Sequence, residues 1–324
     1  MSEVTHHQIP TNGIELHVAE SGPAAGPPVV LCHGFPELWY SWRHQFDALA
    51  GAGFRVLAPD LRGYGGSSQP QGDISAYGAD RITADLCGLL DHFGYDQAAF
   101  SGHDWGAMVL WEMARTHPER MSSLCNMSVP FLQSPMPPTE IFNAIFVDKF
   151  FYILYFQPVG PAEKELEADP RHFLRNMLWA ASGDGLGGGT LTLDLPALGT
   201  GFLDSLAEAP AELPLWITEE DVDVYADAFK ANGFFGPLSF YRNIDANWYR
   251  THDIPASVLT MPTGFISGSA DPVIAMTPGA LEAMAGTLPD FRGSTLIEGA
   301  GHWVQQERPE ETNAALLAFL SSVS

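Results

Sequence analysis

The string Gly102-His103-Asp104-Trp105-Gly106 constrains this chain more than any other stretch of it. It lies between a short apolar run at 98–101 and a segment in which Val109, Leu110, Met113 and Ala114 share one helical face. A strand therefore feeds a helix through a turn sharp enough to force its central residue into a strained backbone conformation. Side chains on the flanking positions would clash, and Gly102 and Gly106 remove them. Such an elbow predicts a sheet with helices on its faces and Asp104 presented at the strand's end.

The neighbouring sequence follows the same plan. Apolar runs at 29–32, 55–58, 98–101 and 124–128 alternate with longer helical patterns, the habit of a mostly parallel sheet covered by helices. From 130 to 247 the pattern changes to aromatic-rich helices separated by a glycine- and proline-rich loop at 183–214. Strand-like runs return at 264–267 and 294–297, and a helix at 309–320 closes the chain. The expected organisation is an α/β core, 1–129 and 248–324, with a helical cap inserted at 130–247. A length of 324 residues and a hydrophobic content of 46% suffice for such a core.

Composition narrows the function classes. A net charge of -24 repels nucleic acid phosphates and anionic lipid surfaces and favours a neutral substrate, although acidity of this kind serves mainly for solubility. Residues 1–10 lack the basic end and apolar run of a signal peptide, and no stretch of about 18 apolar residues offers a membrane span. The expectation is a soluble cytoplasmic protein, with homodimerisation left open. Cys32, Cys87 and Cys125 form no Cys-x-x-Cys pair and are expected to be reduced core residues. Gly183, Gly185 and Gly188 fit Gly-x-Gly-x-x-Gly by chance, since no strand precedes them. Asn126-Met-Ser128 fits a glycosylation acceptor, but in a predicted buried strand it should carry nothing.

Chain order gives the elbow partners. In the α/β-hydrolase fold the nucleophile is followed by an acid and then a histidine. Here Asp271 follows the run 264–267 and His302 follows the run 294–297. The backbone N–H groups of Phe35, in His33-Gly34-Phe35-Pro36, and of Trp105 are the expected oxyanion hole. His33 itself reads as a residue that holds a turn in shape.

An aspartate where serine is usual changes the chemistry. Serine attacking a saturated carbon leaves an ether that water does not readily remove, whereas a carboxylate leaves an ester that water can attack. The substrate carbon is therefore sp3, and His302 acts on the water, with Asp271 fixing its tautomer. Opening an epoxide needs a proton donor for the freed alkoxide, and tyrosine is a suitable acid. Displacing a halide needs only N–H donors.

Over almost its whole length the chain resembles the soluble epoxide hydrolase family. The resemblance rests on His33-Gly-Phe-Pro-Glu37 with Trp39-Tyr-Ser-Trp42, on Asp60-Leu-Arg-Gly-Tyr-Gly65, and on the elbow. It also rests on Tyr152-Ile-Leu-Tyr-Phe-Gln157 and Gly236-Pro-Leu-Ser-Phe-Tyr241-Arg-Asn243, which look like the family's two tyrosine-bearing cap segments. It implies that Tyr152 and Tyr241 bind and protonate the epoxide oxygen, that Asp104 forms an alkyl-enzyme ester, and that the product is a vicinal diol. No metal or organic cofactor is implied, and there is no room for the extra N-terminal phosphatase domain of some members. Tyr155, three residues after Tyr152, would share its helix face. The competing readings are a haloalkane dehalogenase, with Trp105 beside the same nucleophile, and a non-catalytic ligand-binding protein on this fold.

Overall fold

The computed structural model describes residues 4–187 and 196–323. Gly188 of the glycine string, and positions 188–195 of the loop expected at 183–214, lie outside the described residues.

The chain opens on an antiparallel hairpin of β1 (Thr5–Thr11) and β2 (Ile14–Ser21) that was not among the expected strands. Its turn is Asn12-Gly13, with φ of 44° and 78°. A type I′ hairpin turn demands positive φ at both central positions, and Asn-Gly tolerates it best. The expected apolar runs appear as β3 (Pro28–Cys32), β4 (Arg55–Pro59), β5 (Ala98–Gly102), β6 (Met121–Met127), β7 (Thr263–Gly268) and β8 (Phe291–Ile297). Together they form an eight-stranded sheet in the order β1-β2-β4-β3-β5-β6-β7-β8. Pairing is antiparallel from β1 through β2 to β4 and parallel across the rest.

Helices α1 (Arg43–Gly51), α2 (Ala79–Phe93) and α3 (Trp105–Thr116) follow β3, β4 and β5. Between β6 and β7 come α4 (Pro138–Ile145), α5 (Tyr152–Tyr155), α6 (Pro161–Leu166) and α7 (Pro170–Ala180). They are followed by α8 (Phe202–Ser205), α9 (Glu219–Asn232), α10 (Phe235–Arg242) and α11 (Ile244–Thr251). The last of these runs through the boundary expected at 247/248. Helices α12 (Pro272–Met276) and α13 (Ala280–Thr287) separate β7 from β8. Finally α14 (Val304–Glu307) leads into α15 (Pro309–Val323).

Two faces of the sheet make two cores, because successive strand residues point to opposite sides. Along β3, Val30 and Cys32 join the cluster built with α2 and α3, while Val29 and Leu31 join the one built with α1 and α15. The four expected inward residues of α3 are all buried. The helices inserted between β6 and β7 pack into the α2/α3 cluster through Phe156, Phe173, Tyr225 and Phe240. Cys32 and Cys125 are buried and Cys87 is only half-buried, all three unpaired. Asn126 is fully buried and its side chain donates to the Ala107 carbonyl. Among the described residues no helix is long and apolar enough to cross a membrane.

Candidate active site

The sheet delivers three side chains to one end. Asp104, Asp271 and His302 lie on the loops leaving β5, β7 and β8, the carboxyl ends of strands where open α/β sheets bind ligands. Asp104 is held at φ 51° and ψ -118° as the residue capping α3. A Cβ on Gly102 would run into the Gly106 backbone, and one on Gly106 into the Cys32 carbonyl, so the elbow closes only with both glycines.

The carboxylate has two differently used oxygens. Oδ1 accepts the Phe35 N–H at 2.8 Å. Trp105 opens α3, so its N–H is among the first helical donors with no intrahelical acceptor. Oδ2 lies 3.6 Å from His302 Nε2, a charge contact too long for a hydrogen bond. On its other side, His302 Nδ1 stands 3.2 Å from Asp271 Oδ1.

Asp271 is fixed from three directions. Its Oδ1 accepts the Val273 N–H at 2.9 Å, and its Oδ2 accepts the hydroxyls of Ser128 at 2.5 Å and Ser267 at 3.1 Å. Burial disfavours its charge, but His302 and these donors outweigh burial and hold the carboxyl below its ordinary range. Burial likewise works against a charged His302. Asp271 and then Asp104 override it, so the imidazole holds its proton well above the ordinary histidine range.

Several contributors were missed in the sequence. Ser128 was expected to continue β6, yet it has left the strand at φ 66° to turn its hydroxyl to Asp271. His103, inside the elbow, reaches the His302 carbonyl through Nε2 at 2.7 Å and Glu37 through Nδ1 at 2.6 Å, with both side chains fully buried. Burial raises the Glu37 carboxyl, but His103 outweighs it and brings the carboxyl down to about 2. Glu307 accepts from Gly183 and Gly301 at 2.8 and 2.9 Å, and Ala181 accepts from the His302 N–H at 2.8 Å. The unexplained glycine string thus has a packing role at Gly183, where a Cβ would strike the Gly299 carbonyl. His33 accepts the Leu61 N–H at 3.0 Å through Nε2 and meets the Gly34 carbonyl through Nδ1 at 2.9 Å.

Tyr152 on α5 and Tyr241 on α10 face the carboxylate. Their rings stand 5.9 Å apart at 80°, and with Asp104, His302 and Phe35 they line a cavity of about 340 Å³. Burial, and then Asp104, raise both phenols above the ordinary tyrosine range. Tyr241 also sets its ring edge-on to the Trp105 indole at 4.9 Å. Tyr155 does not share the cavity wall. Its position is offset by about 60° around the helix, and its hydroxyl donates to Glu165 at 2.6 Å. The remaining wall is mostly apolar, including Phe150, Met177, Phe202, Leu206, Val273 and Met276, with Ser205 among them. A second apolar cavity of about 390 Å³ also touches Trp105 but neither Asp104 nor His302. Among the described residues no cluster of three or more histidine, cysteine or carboxylate side chains could hold a metal ion.

The fold and the elbow define an α/β-hydrolase, and residues 27–154 match the family model described as alpha/beta hydrolase fold. Epoxide hydrolase A of Mycobacterium tuberculosis (strain ATCC 25618 / H37Rv) is 46% identical, the match covering 100% of this chain and 99% of that protein. The crystal structure of Epoxide Hydrolase A from Mycobacterium thermoresistibile superposes with a TM-score of 0.90 at 46% identity over 98% of both chains. An epoxide hydrolase from an endophytic Streptomyces gives 0.91 at 37% identity, over 99% of this chain and 96% of that one. The chain belongs to the epoxide hydrolase family.

Proposed function

We propose that this enzyme opens a small neutral epoxide to a vicinal diol through a covalent ester on Asp104. The observation that carries the reading is one cavity with the Asp104 carboxylate on the sheet side and the phenols of Tyr152 and Tyr241 on the other. Asp104 Oδ2 attacks a ring carbon while the C–O bond of the epoxide breaks. The ring oxygen takes a proton from Tyr152 or Tyr241, and the other hydroxyl donates a hydrogen bond to it. The product of this step is a hydroxy-ester.

Ester formation removes the negative charge of Asp104, one of the two anions that hold the proton on His302. His302 then yields that proton to the tyrosinate, whose burial keeps its proton affinity high. Neutral His302, oriented by Asp271, deprotonates a water that adds to the ester carbonyl carbon. The resulting oxyanion forms on Oδ1, where the Phe35 N–H already donates and the Trp105 N–H is free of intrahelical bonds. Collapse expels the second alkoxide, which takes the proton from His302, and frees the diol; Asp104, left as the acid, then gives its proton to His302 and both return to their starting charges.

In this reading residues 130–247 act as a cap over the core formed by 1–129 and 248–324. The apolar wall favours a neutral substrate, and three unpaired thiols favour a cytoplasmic setting. The test is His302→Gln with styrene oxide, followed by intact-mass and peptide analysis. An ester accumulating on Asp104, together with label from heavy-oxygen water entering Asp104 in a single wild-type turnover, supports the mechanism. Label appearing directly in the diol with no ester would refute it. Halide release from 1-bromobutane without diol formation from styrene oxide would favour a dehalogenase.

A further inference from the structure

The two tyrosines stand on elements that cannot hold themselves in place. Helix α5 has four residues and α10 eight, both below the length at which an isolated helix is stable in water. For both hydroxyls to reach one ring oxygen, their backbones must be fixed to within about 0.5 Å. Ring packing contributes, since Phe156 touches Tyr152 at 5.7 Å and Tyr241 at 5.1 Å, but apolar contact is non-directional.

The directional contacts come from two side chains exchanged between the segments. Gln157, just beyond α5, donates through Nε2 to the Ile153 carbonyl at 2.9 Å and to the carbonyl of Tyr241 itself at 3.0 Å. Arg242, which follows Tyr241, returns the contact. Its Nε donates to the Phe156 carbonyl at 2.9 Å and its Nη2 to the Pro158 carbonyl at 3.2 Å. The guanidinium side chain is 2% exposed and is paired with Glu163 at 2.7 Å. These carbonyls lie at or just beyond the C-terminal ends of α5 and α10, where helices leave C=O groups unpaired and cations are favoured.

We propose that Gln157 and Arg242 are positioning residues for ring opening, a reciprocal clamp that sets the spacing of the Tyr152 and Tyr241 hydroxyls. The proposal rests on the acid-pair reading above. None of the clamp's hydrogen bonds or ion pairs involves Asp104, Asp271 or His302, so formation of the ester depends on it directly, and hydrolysis of the ester only through the return of the His302 proton to the tyrosinate.

Gln157→Met removes the donor at similar length, and Arg242→Lys keeps the charge opposite Glu163 but loses the planar fork. Each variant is mixed rapidly with styrene oxide, quenched, and assayed for the Asp104 ester by mass spectrometry, with thermal unfolding measured alongside. The expected result is ester formation slowed about tenfold in both variants, with ester decay slowed less. Formation at the wild-type rate, equal slowing of both steps, or failure of both variants to fold overturns the clamp. Tyr241→Phe in the same assay separates the two ideas. If it forms ester at the wild-type rate, the acid-pair reading fails and the clamp with it; if it is slowed while Gln157→Met and Arg242→Lys are not, only the clamp fails.

Discussion

On the sheet side of the cavity, Asp104 and Asp271 follow the buried strands β5 and β7 and His302 follows the edge strand β8, and backbone or buried side-chain groups hold them in place. On the opposite side, Tyr152 and Tyr241 ride on short helices held by ring contacts and a few side-chain bonds to carbonyls. The contrast follows from the work each side does. The carboxylates and the imidazole carry charge out of water, and buried charge is tolerated only where every partner is in place. The phenols stay neutral until the moment of transfer, so their surroundings can be apolar and their scaffold thin. Precision is built into the sheet for the charged groups and added by packing and side-chain bonds to carbonyls for the neutral ones.

Removing the centre of the sheet side has the largest effect. Asp104→Ala deletes the nucleophile, and diol formation should fall on the order of a millionfold, as when other covalent nucleophiles are removed. A residual rate only tenfold below wild type, measured by product chromatography, would mean that water attacks the epoxide directly.

The opposite side should be more tolerant of single changes. Tyr152→Phe or Tyr241→Phe should each slow ring opening about 10²-fold, since the partner hydroxyl remains, and the double variant about 10⁴-fold. Rapid-quench measurement of the Asp104 ester reads this step alone. A double variant that retains full activity would remove both phenols from the chemistry.

How far each side could be read from the sequence follows the same division. The elbow, Asp271, His302 and the strands before them are local patterns: short apolar runs, each ending in a polar loop. The first hairpin was overlooked because its strands mix polar with apolar residues, although Asn12-Gly13 marks its turn. Ser128 gave no signal, since nothing in a serine announces a left-handed backbone after a strand. His103 and Glu37 lie 66 positions apart in the chain and meet only once β3 and β5 pair. Tyr155 was expected to share the helix face of Tyr152, but helical spacing leaves it about 60° away around the four-residue α5, with its hydroxyl on Glu165.

Ser128 offers a gentler way to loosen the sheet side. Ser128→Ala takes one hydroxyl from the Asp271 carboxylate, and a hydrogen bond to a charged group is worth about 1.5–3 kcal/mol of stability. Chemical denaturation should show that loss. In single turnover the decay of the ester should slow about tenfold, the factor that about 1.4 kcal/mol of misoriented imidazole would cost, while ester formation is unchanged. Ester decay at the wild-type rate would show that Ser267 and Val273 fix Asp271 without help.

The smallest effect is a titration, and it tests whether the two sides communicate. The charge of Asp104 raises His302, Tyr152 and Tyr241 together, so one carboxylate holds protons on both sides of the cavity. Neutralising it should loosen all three. In Asp104→Asn the anion is gone while the shape is kept, and the His302 midpoint followed by NMR should fall toward the ordinary histidine value. The sign is fixed by the cause: an anion that raises a histidine pKa lowers it again when removed. Asp271 still raises His302 and burial still opposes it, so the midpoint in the variant reports what remains once the ester has formed. The pH at which ester decay reaches half its maximum should therefore lie near the variant's midpoint and below that of the free wild-type enzyme. Coincidence with the wild-type midpoint instead would mean that His302 does not feel the neutralisation of Asp104, and that each side titrates alone.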